Sequence, residues 1–242
     1  MFKYLLFDLD RTLWDFDGNA EITFQKMYRQ FEMEELCGVD YATFHVYYRI
    51  VNDQLWEDFR NGVVSKEYLN IKRFSIPLEH FNTKGSIGRL SAELGDYYVQ
   101  EGPKQKGLMP GTRHLLEYLK EKDCYTLCVI TNGFSEAQIP KMHSSDIARY
   151  FKYFYLSEDL GYMKPDPRFF DAALNQLSVS EGHAIEKSEC LVVGDDYKVD
   201  IQGSVRAGIP SLFYNRDHRF TGPYSFQPEF EVHHLSEIES IL

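Results

Sequence analysis

The chain has 242 residues, 43% of them hydrophobic and 15% aromatic, which is enough to build a sizeable core in one large or two modest domains. Its 37 Asp and Glu residues outnumber the 26 Lys and Arg residues, and the formal charge of −11 argues against a nucleic-acid polymer or an anionic membrane as the main partner, because both require a positively charged surface. The 4 cysteines show no paired metal-binding spacing, and no apolar stretch approaches the roughly 20 residues that span a bilayer. We therefore expect a soluble, cytoplasmic protein, either a monomer or a homodimer.

The first predicted element is a short buried strand, Tyr4 to Phe7, which is followed directly by Asp8-Leu9-Asp10. Ligands of an open parallel sheet bind beyond the carboxyl ends of its strands, so Asp8 and Asp10 lie where a ligand is expected. Two carboxylates at such a position can divide the work, since one can attack a substrate while the other transfers protons or binds a metal. Taken alone, the same pattern is equally typical of a solvated loop.

The stretch between this strand and Pro110 has the spacing of helices rather than of strands. Four amphipathic patterns follow one another, and the first has apolar residues at i, i+3, i+4 and i+7, namely Phe24, Met27, Tyr28 and Phe31. These patterns predict a helical bundle over residues 15–107, inserted after the first strand. Its aromatic residues are more typical of a bundle core than of a ligand site.

From Pro110 onward, predicted helices and strands alternate. The helices cover residues 112–121, 135–144, 168–177 and 201–207, and the strands cover residues 125–130, 153–156, 191–193 and 211–214. Alternation of this kind predicts parallel strands joined by crossover helices on both faces of one sheet. The predicted fold class is therefore α/β, with a doubly wound, Rossmann-like core formed by residues 1–14 and 108–242 and a helical domain formed by residues 15–107.

Two later segments carry groups that are suited to phosphate. Thr131 and Asn132 end the second predicted strand, where a hydroxyl and free backbone N–H groups can hold phosphate oxygens. Lys164 lies on a proline-rich loop, and its ammonium is a compact point charge that pairs well with phosphate. Without a phosphate ligand, the first segment would be a simple turn and Lys164 would be an ordinary surface lysine.

A third segment supplies more carboxylates. Asp195 and Asp196 end a further buried strand, and Asp200 follows four residues after this pair. Hard cations such as Mg²⁺ bind oxygen ligands, usually one or two carboxylates together with water and a substrate phosphate.

Taken in order, these segments resemble the four motifs of the haloacid dehalogenase superfamily. The matching runs are Asp8-Leu9-Asp10-Arg11-Thr12, Thr131-Asn132-Gly133, Lys164-Pro165-Asp166, and Gly194-Asp195 with Asp200. They span nearly the whole chain, and the ordered set is far more specific than any one of them. The run Thr12-Leu13-Trp14-Asp15-Phe16 and the segment from Met163 to Pro167 further resemble a subgroup that contains pyrimidine 5′-nucleotidases.

The resemblance implies a doubly wound core with a helical cap inserted after the first strand. Because the insertion begins within a few residues of Asp8, we expect the cap to overhang that residue as a lid that excludes water and selects the substrate. Phe16, Asp17 and Gly18 are the expected hinge.

The resemblance also implies a Mg²⁺-dependent phosphohydrolase that acts on a small-molecule phosphate ester through an aspartyl-phosphate. Asp8 is then the nucleophile, and Asp10 is the general acid and base. The implied phosphate-binding groups are Thr131, the Asn132 backbone and Lys164. The implied metal ligands are the Asp8 carboxylate, the Asp10 backbone carbonyl, Asp195, and Asp200 directly or through water, with Asp196 as the alternative to Asp200.

Other functions stay open on the sequence alone. A sugar-phosphate phosphatase or a phosphosugar mutase would use the same core, whereas a metal-free 2-haloacid dehalogenase would not need Asp10 and Asp195. A binding module without catalytic activity is the alternative from another class. For the substrate, nucleoside 5′-monophosphates are favoured, and Trp14 and Phe16 can either stack on a base or pack against the root of the cap.

Overall fold

The computed structural model of the protein describes residues 2–242, and the chain divides into two compact units. The first unit comprises the residues up to Phe16 together with Lys106–Leu242, and the second comprises Asp17–Gln105. The limits expected from the sequence, at 14/15 and 107/108, lie within two residues of these. The hinge expected at residues 16–18 coincides with the start of a helix.

The second unit is built from helices. In chain order these are α1 (Phe16–Gln30), α2 (Met33–Cys37), α3 (Tyr41–Arg60), α4 (Lys66–His80) and α5 (Ile87–Glu101). Phe24 is fully buried, and its ring centroid lies 4.3 Å from that of Tyr48 and 6.1 Å from that of Phe74. The aromatic residues of the amphipathic patterns therefore form a packed core, as expected. Helix α2 was not predicted because five residues are too few to show a helical period.

The first unit is built on a parallel sheet. Its strands are β1 (Tyr4–Phe7), β2 (Thr126–Thr131), β3 (Tyr153–Leu156), β4 (Cys190–Gly194), β5 (Ser211–Tyr214) and β6 (Phe230–Val232). Within residues 2–242 they form one six-stranded sheet in the order β3-β2-β1-β4-β5-β6, and every neighbouring pair is parallel. The predicted doubly wound α/β fold is confirmed.

The central strand β1 is buried on both faces of the sheet. Because successive side chains of a strand point to opposite faces, Leu5 and Phe7 enter one apolar cluster while Tyr4 and Leu6 enter another. A strand covered on both faces reads as a continuous apolar run, and the segment Tyr4-Leu5-Leu6-Phe7 has this character.

The helices of the first unit are α6 (Thr112–Lys122), α7 (Ser135–Ser144), α8 (Ser157–Leu160), α9 (Pro167–Glu181) and α10 (Gln202–Arg206). The predicted helix over 201–207 agrees with α10 to within one residue at each end, and a π-helical turn, Tyr197–Ile201, precedes it. Strand β6 was missed because it has three residues at the edge of the sheet, too few to show an alternating pattern. Across residues 2–242, the helices are all too short or too polar to cross a membrane.

Candidate active site

The sheet brings the predicted site residues to one edge. Strand β1 pairs in register with β2 on one side and with β4 on the other. Asp8 therefore follows β1 at the same edge at which Thr131 ends β2 and Asp195 follows β4. Distant parts of the sequence meet here because all three strands are parallel.

Lys164 lies at the centre of this site and is 1% exposed. Its Nζ donates to Asp8 Oδ1 at 2.7 Å, to Asp200 Oδ1 at 2.6 Å and to the backbone carbonyl of Ile130 at 3.1 Å. Burial alone would lower the pKa of Lys164, but the charges of Asp200 and Asp8 outweigh it and raise the pKa above its usual range. The ammonium is therefore a fixed positive charge shared by two carboxylates.

Asp8, Asp195 and Asp200 form a compact carboxylate cluster. Each offers one oxygen, and these oxygens lie within 4.8 Å of one another. The hydroxyl of Thr12 lies 3.2 Å from Asp8 Oδ2 and 3.2 Å from Asp195 Oδ1, which links two members of the cluster. A set of nearby carboxylate oxygens suits a hard divalent cation such as Mg²⁺.

The pKa shifts of the three carboxylates also favour a bound cation. Burial raises the pKa of Asp8, although Lys164 offsets part of the rise. Burial and the neighbouring charges of Asp8 and Asp200 raise the pKa of Asp195 well above its usual range. Burial also raises the pKa of Asp200 to about 7. The ionised form of each of these three carboxylates is disfavoured, and a bound cation would stabilise it.

The structure distinguishes Asp200 from Asp196, which the sequence left as alternatives. Asp196 Oδ1 accepts hydrogen bonds from the backbone N–H groups of Lys198 at 2.9 Å and Val199 at 3.0 Å, so it caps the π-helical turn. Asp200 Oδ2 accepts from the backbone N–H of Asp196 at 3.1 Å, which helps to hold its carboxylate in the cluster.

Gly194 is required for this placement of Asp200. A Cβ atom at position 194 would lie 2.4 Å from Asp200 Oδ2 and 2.5 Å from its Cβ. Contacts that short do not occur, so the last residue of β4 has to lack a side chain if Asp200 is to reach the cluster.

Thr131 ends β2 and Asn132 follows it, at the edge of the sheet where Asp8 follows β1. The Asn132 side chain forms two hydrogen bonds of 2.8 Å with the backbone N–H and carbonyl of Lys164, so it holds the lysine loop against the end of β2. Thr131 Oγ1 accepts from the backbone N–H of Gly133 at 3.1 Å. Asn132 therefore shapes the edge of the site beside Lys164, and Thr131 shapes the turn that follows β2.

The carboxylate of Asp10 does not join the cluster and is held by helix α7 instead. Lys141 Nζ lies 2.7 Å from Asp10 Oδ1 and 2.9 Å from Oδ2, and Gln138 Nε2 donates to Oδ2 at 2.8 Å. Sequence reasoning missed both partners. The one signal was their spacing of three residues on the predicted helix that follows Thr131, and such a spacing is equally typical of a solvated helix face.

For Trp14 and Phe16, the sequence allowed either stacking on a base or packing against the root of the cap. Trp14 is 2% exposed and belongs to an apolar cluster of the first unit. Phe16 packs against it, with ring centroids 6.4 Å apart. Both rings also lie near the Lys141 ammonium. The structure therefore favours packing over base stacking for Trp14.

Comparison with known proteins gives a consistent result. A family model described as a haloacid dehalogenase-like hydrolase matches residues 2–208. The chain is similar to pyrimidine 5′-nucleotidase PynA of Streptococcus pneumoniae, with 31% identity over 237 residues that cover 98% of this chain and 93% of that protein. It is also similar to pyrimidine 5′-nucleotidase YjjG of Escherichia coli, with 28% identity over 239 residues that cover 99% of this chain and 97% of that protein.

Among solved structures, the chain resembles the magnesium-bound HAD-hydrolase YfnB of Bacillus subtilis. The TM-score is 0.84, the identity is 24%, and the match covers 100% of this chain and 98% of that one. At this identity the likeness shows the fold alone.

The contact between Gly194 and Asp200 leads to the first prediction. Gly194→Ala should displace the Asp200 carboxylate and lower the affinity for Mg²⁺ by about 10–100-fold, the range typical of disturbed support around a metal ligand. The measurement is titration calorimetry with Mg²⁺ on the folded variant.

Gly88→Ala is the matched control, because a Cβ at that helical position meets nothing within 4 Å. It should bind Mg²⁺ as the parent protein does. An unchanged affinity in Gly194→Ala would show that Asp200 is not a ligand.

Proposed function

Because the chain belongs to the haloacid dehalogenase-like hydrolase family, we propose that it is a Mg²⁺-dependent phosphatase that hydrolyses nucleoside 5′-monophosphates through an aspartyl-phosphate. The observation that carries this proposal is the buried Lys164 ammonium, which joins Asp8 to Asp200 within a carboxylate cluster. The substrate class is supported by the two nucleotidases that the chain resembles over nearly its whole length.

Asp8 is the proposed nucleophile. Its carboxylate attacks phosphorus, the bond from phosphorus to the ester oxygen breaks, and the phosphoryl group is left on Asp8. Water then attacks the same phosphorus, which releases inorganic phosphate and regenerates the carboxylate. Two easier displacements replace one difficult displacement.

Asp10 is the proposed acid and base. It gives a proton to the departing alkoxide in the first displacement and takes one from the attacking water in the second. A separate acid is needed for nucleoside esters because an alkoxide is a poor leaving group. The separation of Asp10 from the carboxylate cluster fits this division of roles.

Lys164, Thr131 and the Asn132 backbone are the proposed partners of the non-bridging phosphate oxygens. Phosphoryl transfer has a loose transition state whose charge is spread over these oxygens, so fixed cationic and N–H groups stabilise it.

The proposed Mg²⁺ ligands are the carboxylates of Asp8, Asp195 and Asp200 and the backbone carbonyl of Asp10. Bound by these residues, Mg²⁺ would supply positive charge that offsets the negative charge of the phosphate. The oxygen-only donor set described above supports this choice of metal.

The substrate is tested directly with a panel of phosphate esters. Purified protein with Mg²⁺ should release phosphate faster from pyrimidine nucleoside 5′-monophosphates than from hexose or triose phosphates, and it should release no halide from a 2-haloacid. The measurement is kcat/KM for each compound. Preference for a sugar phosphate would replace the nucleotidase assignment, and halide release would favour the dehalogenase alternative.

The nucleophile is tested by Asp8→Asn. An amide cannot form the acyl phosphate, so kcat should fall by several orders of magnitude while the circular dichroism spectrum stays that of the parent protein. Asp159→Asn makes the same change at an exposed position and should keep full activity. Turnover near the parent rate in Asp8→Asn would exclude the covalent mechanism.

The metal requirement is tested by exchange of divalent ions. Activity should be lost in EDTA and restored by Mg²⁺ but not by Ca²⁺, because Ca²⁺ prefers a looser shell of about six to eight oxygens. Mg²⁺ should also raise the melting temperature of the protein, and this rise should shrink in Asp195→Asn because the cluster has lost a carboxylate. Full activity in EDTA would contradict the proposal.

A further inference from the structure

Helix α7 fixes the Asp10 side chain through both of its oxygens. The donors are Lys141 and Gln138, whose nitrogens lie 2.7 to 2.9 Å from the carboxylate oxygens. Residues three positions apart on a helix share one face, so a single rigid element supplies both donors. A carboxylate held in this way cannot rotate freely about its side-chain bonds.

Lys141 is itself immobilised. Its side chain is 9% exposed, and its Nζ lies 4.5 Å from the ring centroid of Trp14 and 5.4 Å from that of Phe16. An ammonium removed from water is costly unless it is paired, and contact with the faces of aromatic rings stabilises it further. The pair with Asp10 therefore has one defined geometry, unlike an exposed ion pair that samples many.

Gln138 ties the same carboxylate to the phosphate-binding segment. Its Nε2 donates to Thr131 Oγ1 at 2.8 Å as well as to Asp10 Oδ2. A Cβ atom at Gly133 would lie 1.8 Å from this nitrogen, so a residue larger than glycine would displace the amide. The turn after β2 thus has the shape that lets Gln138 reach both acceptors.

We propose that Lys141, with Gln138, is the positioning residue for the acid–base carboxylate of Asp10, which it holds at a fixed place relative to Thr131. The inference rests on the proposed phosphatase function. Proton transfer needs the carboxyl within hydrogen-bond reach of the ester oxygen, and a misplacement of about 1 Å can slow a reaction by roughly 100-fold.

The test is Lys141→Met, which removes the charge and leaves an unbranched side chain that is one atom shorter. We expect kcat on a nucleoside monophosphate to fall by about 10–100-fold, which is part of the ~10²–10⁴-fold that general acid–base catalysis contributes, while KM stays unchanged. The loss on p-nitrophenyl phosphate should be smaller, because p-nitrophenolate leaves with little help from a proton. Lys141→Arg should recover much of the lost rate.

A double-mutant cycle shows whether Lys141 acts through Asp10. Once Asp10→Asn has removed the acid, Lys141→Met should cause no further loss on the nucleoside monophosphate. Lys152→Met is the control, since Lys152 forms an exposed ion pair of 2.8 Å with Glu181 and should tolerate the change. Lys141→Gln, which keeps a donor without the charge, provides the same comparison if Lys141→Met does not fold.

The outcomes separate this inference from the proposed function. If Asp10→Asn itself slows both substrates by the same factor, the acid–base role of Asp10 is wrong and the inference ends with it. Loss of an acid should slow the nucleoside monophosphate more than p-nitrophenyl phosphate, and Asp10→Asn is expected to show this difference. If it does, but the Lys141 variants slow both substrates equally, slow neither, or lower the rate further when combined with Asp10→Asn, then the proposed function stands and the positioning role is overturned.

Discussion

The buried ammonium of Lys164 is the interaction on which the rest of the active site depends. Asp8 and Asp200 lie so close together that their charges would repel strongly in a site shielded from water, and Lys164 pairs with both. When all three carboxylates of the cluster are ionised, one ammonium leaves a net charge of −2, which a divalent cation can neutralise. This charge balance favours a divalent cation at the proposed metal site.

Backbone geometry supports this arrangement at several points. The side chain of Asn132 holds the backbone of Lys164 at the end of β2, and Gly194 leaves room for Asp200 beside the end of β4. The second lysine of the site, Lys141, pairs with Asp10 instead. Separate cations therefore pair with the proposed nucleophile Asp8 and with the proposed acid Asp10, which keeps these two neighbouring carboxylates in different environments.

The features that could be predicted from the sequence are those with a long pattern or a fixed order. Apolar runs that end in polar residues located the edges of β1, β2 and β4, and the ordered motifs identified Asp8, Lys164 and the other cluster residues. Lys141 was missed because a lysine within a helix has the pattern of a solvated face. Its pairing with Asp10 depends on the fold, since β1 and β2 lie side by side in the sheet and so bring α7, which follows β2, close to Asp10. The choice of Asp200 over Asp196 depends on the π-helical turn, which has no sequence period that could reveal it.

The central claim is that the phosphoryl group passes through Asp8, and the stereochemistry at phosphorus tests it most directly. The substrate would be a phosphate ester made chiral with oxygen isotopes, hydrolysed in isotopically labelled water with Mg²⁺. Each in-line displacement inverts the configuration, so transfer to Asp8 followed by attack of water predicts net retention. Inversion would show a single displacement by water and would contradict the account.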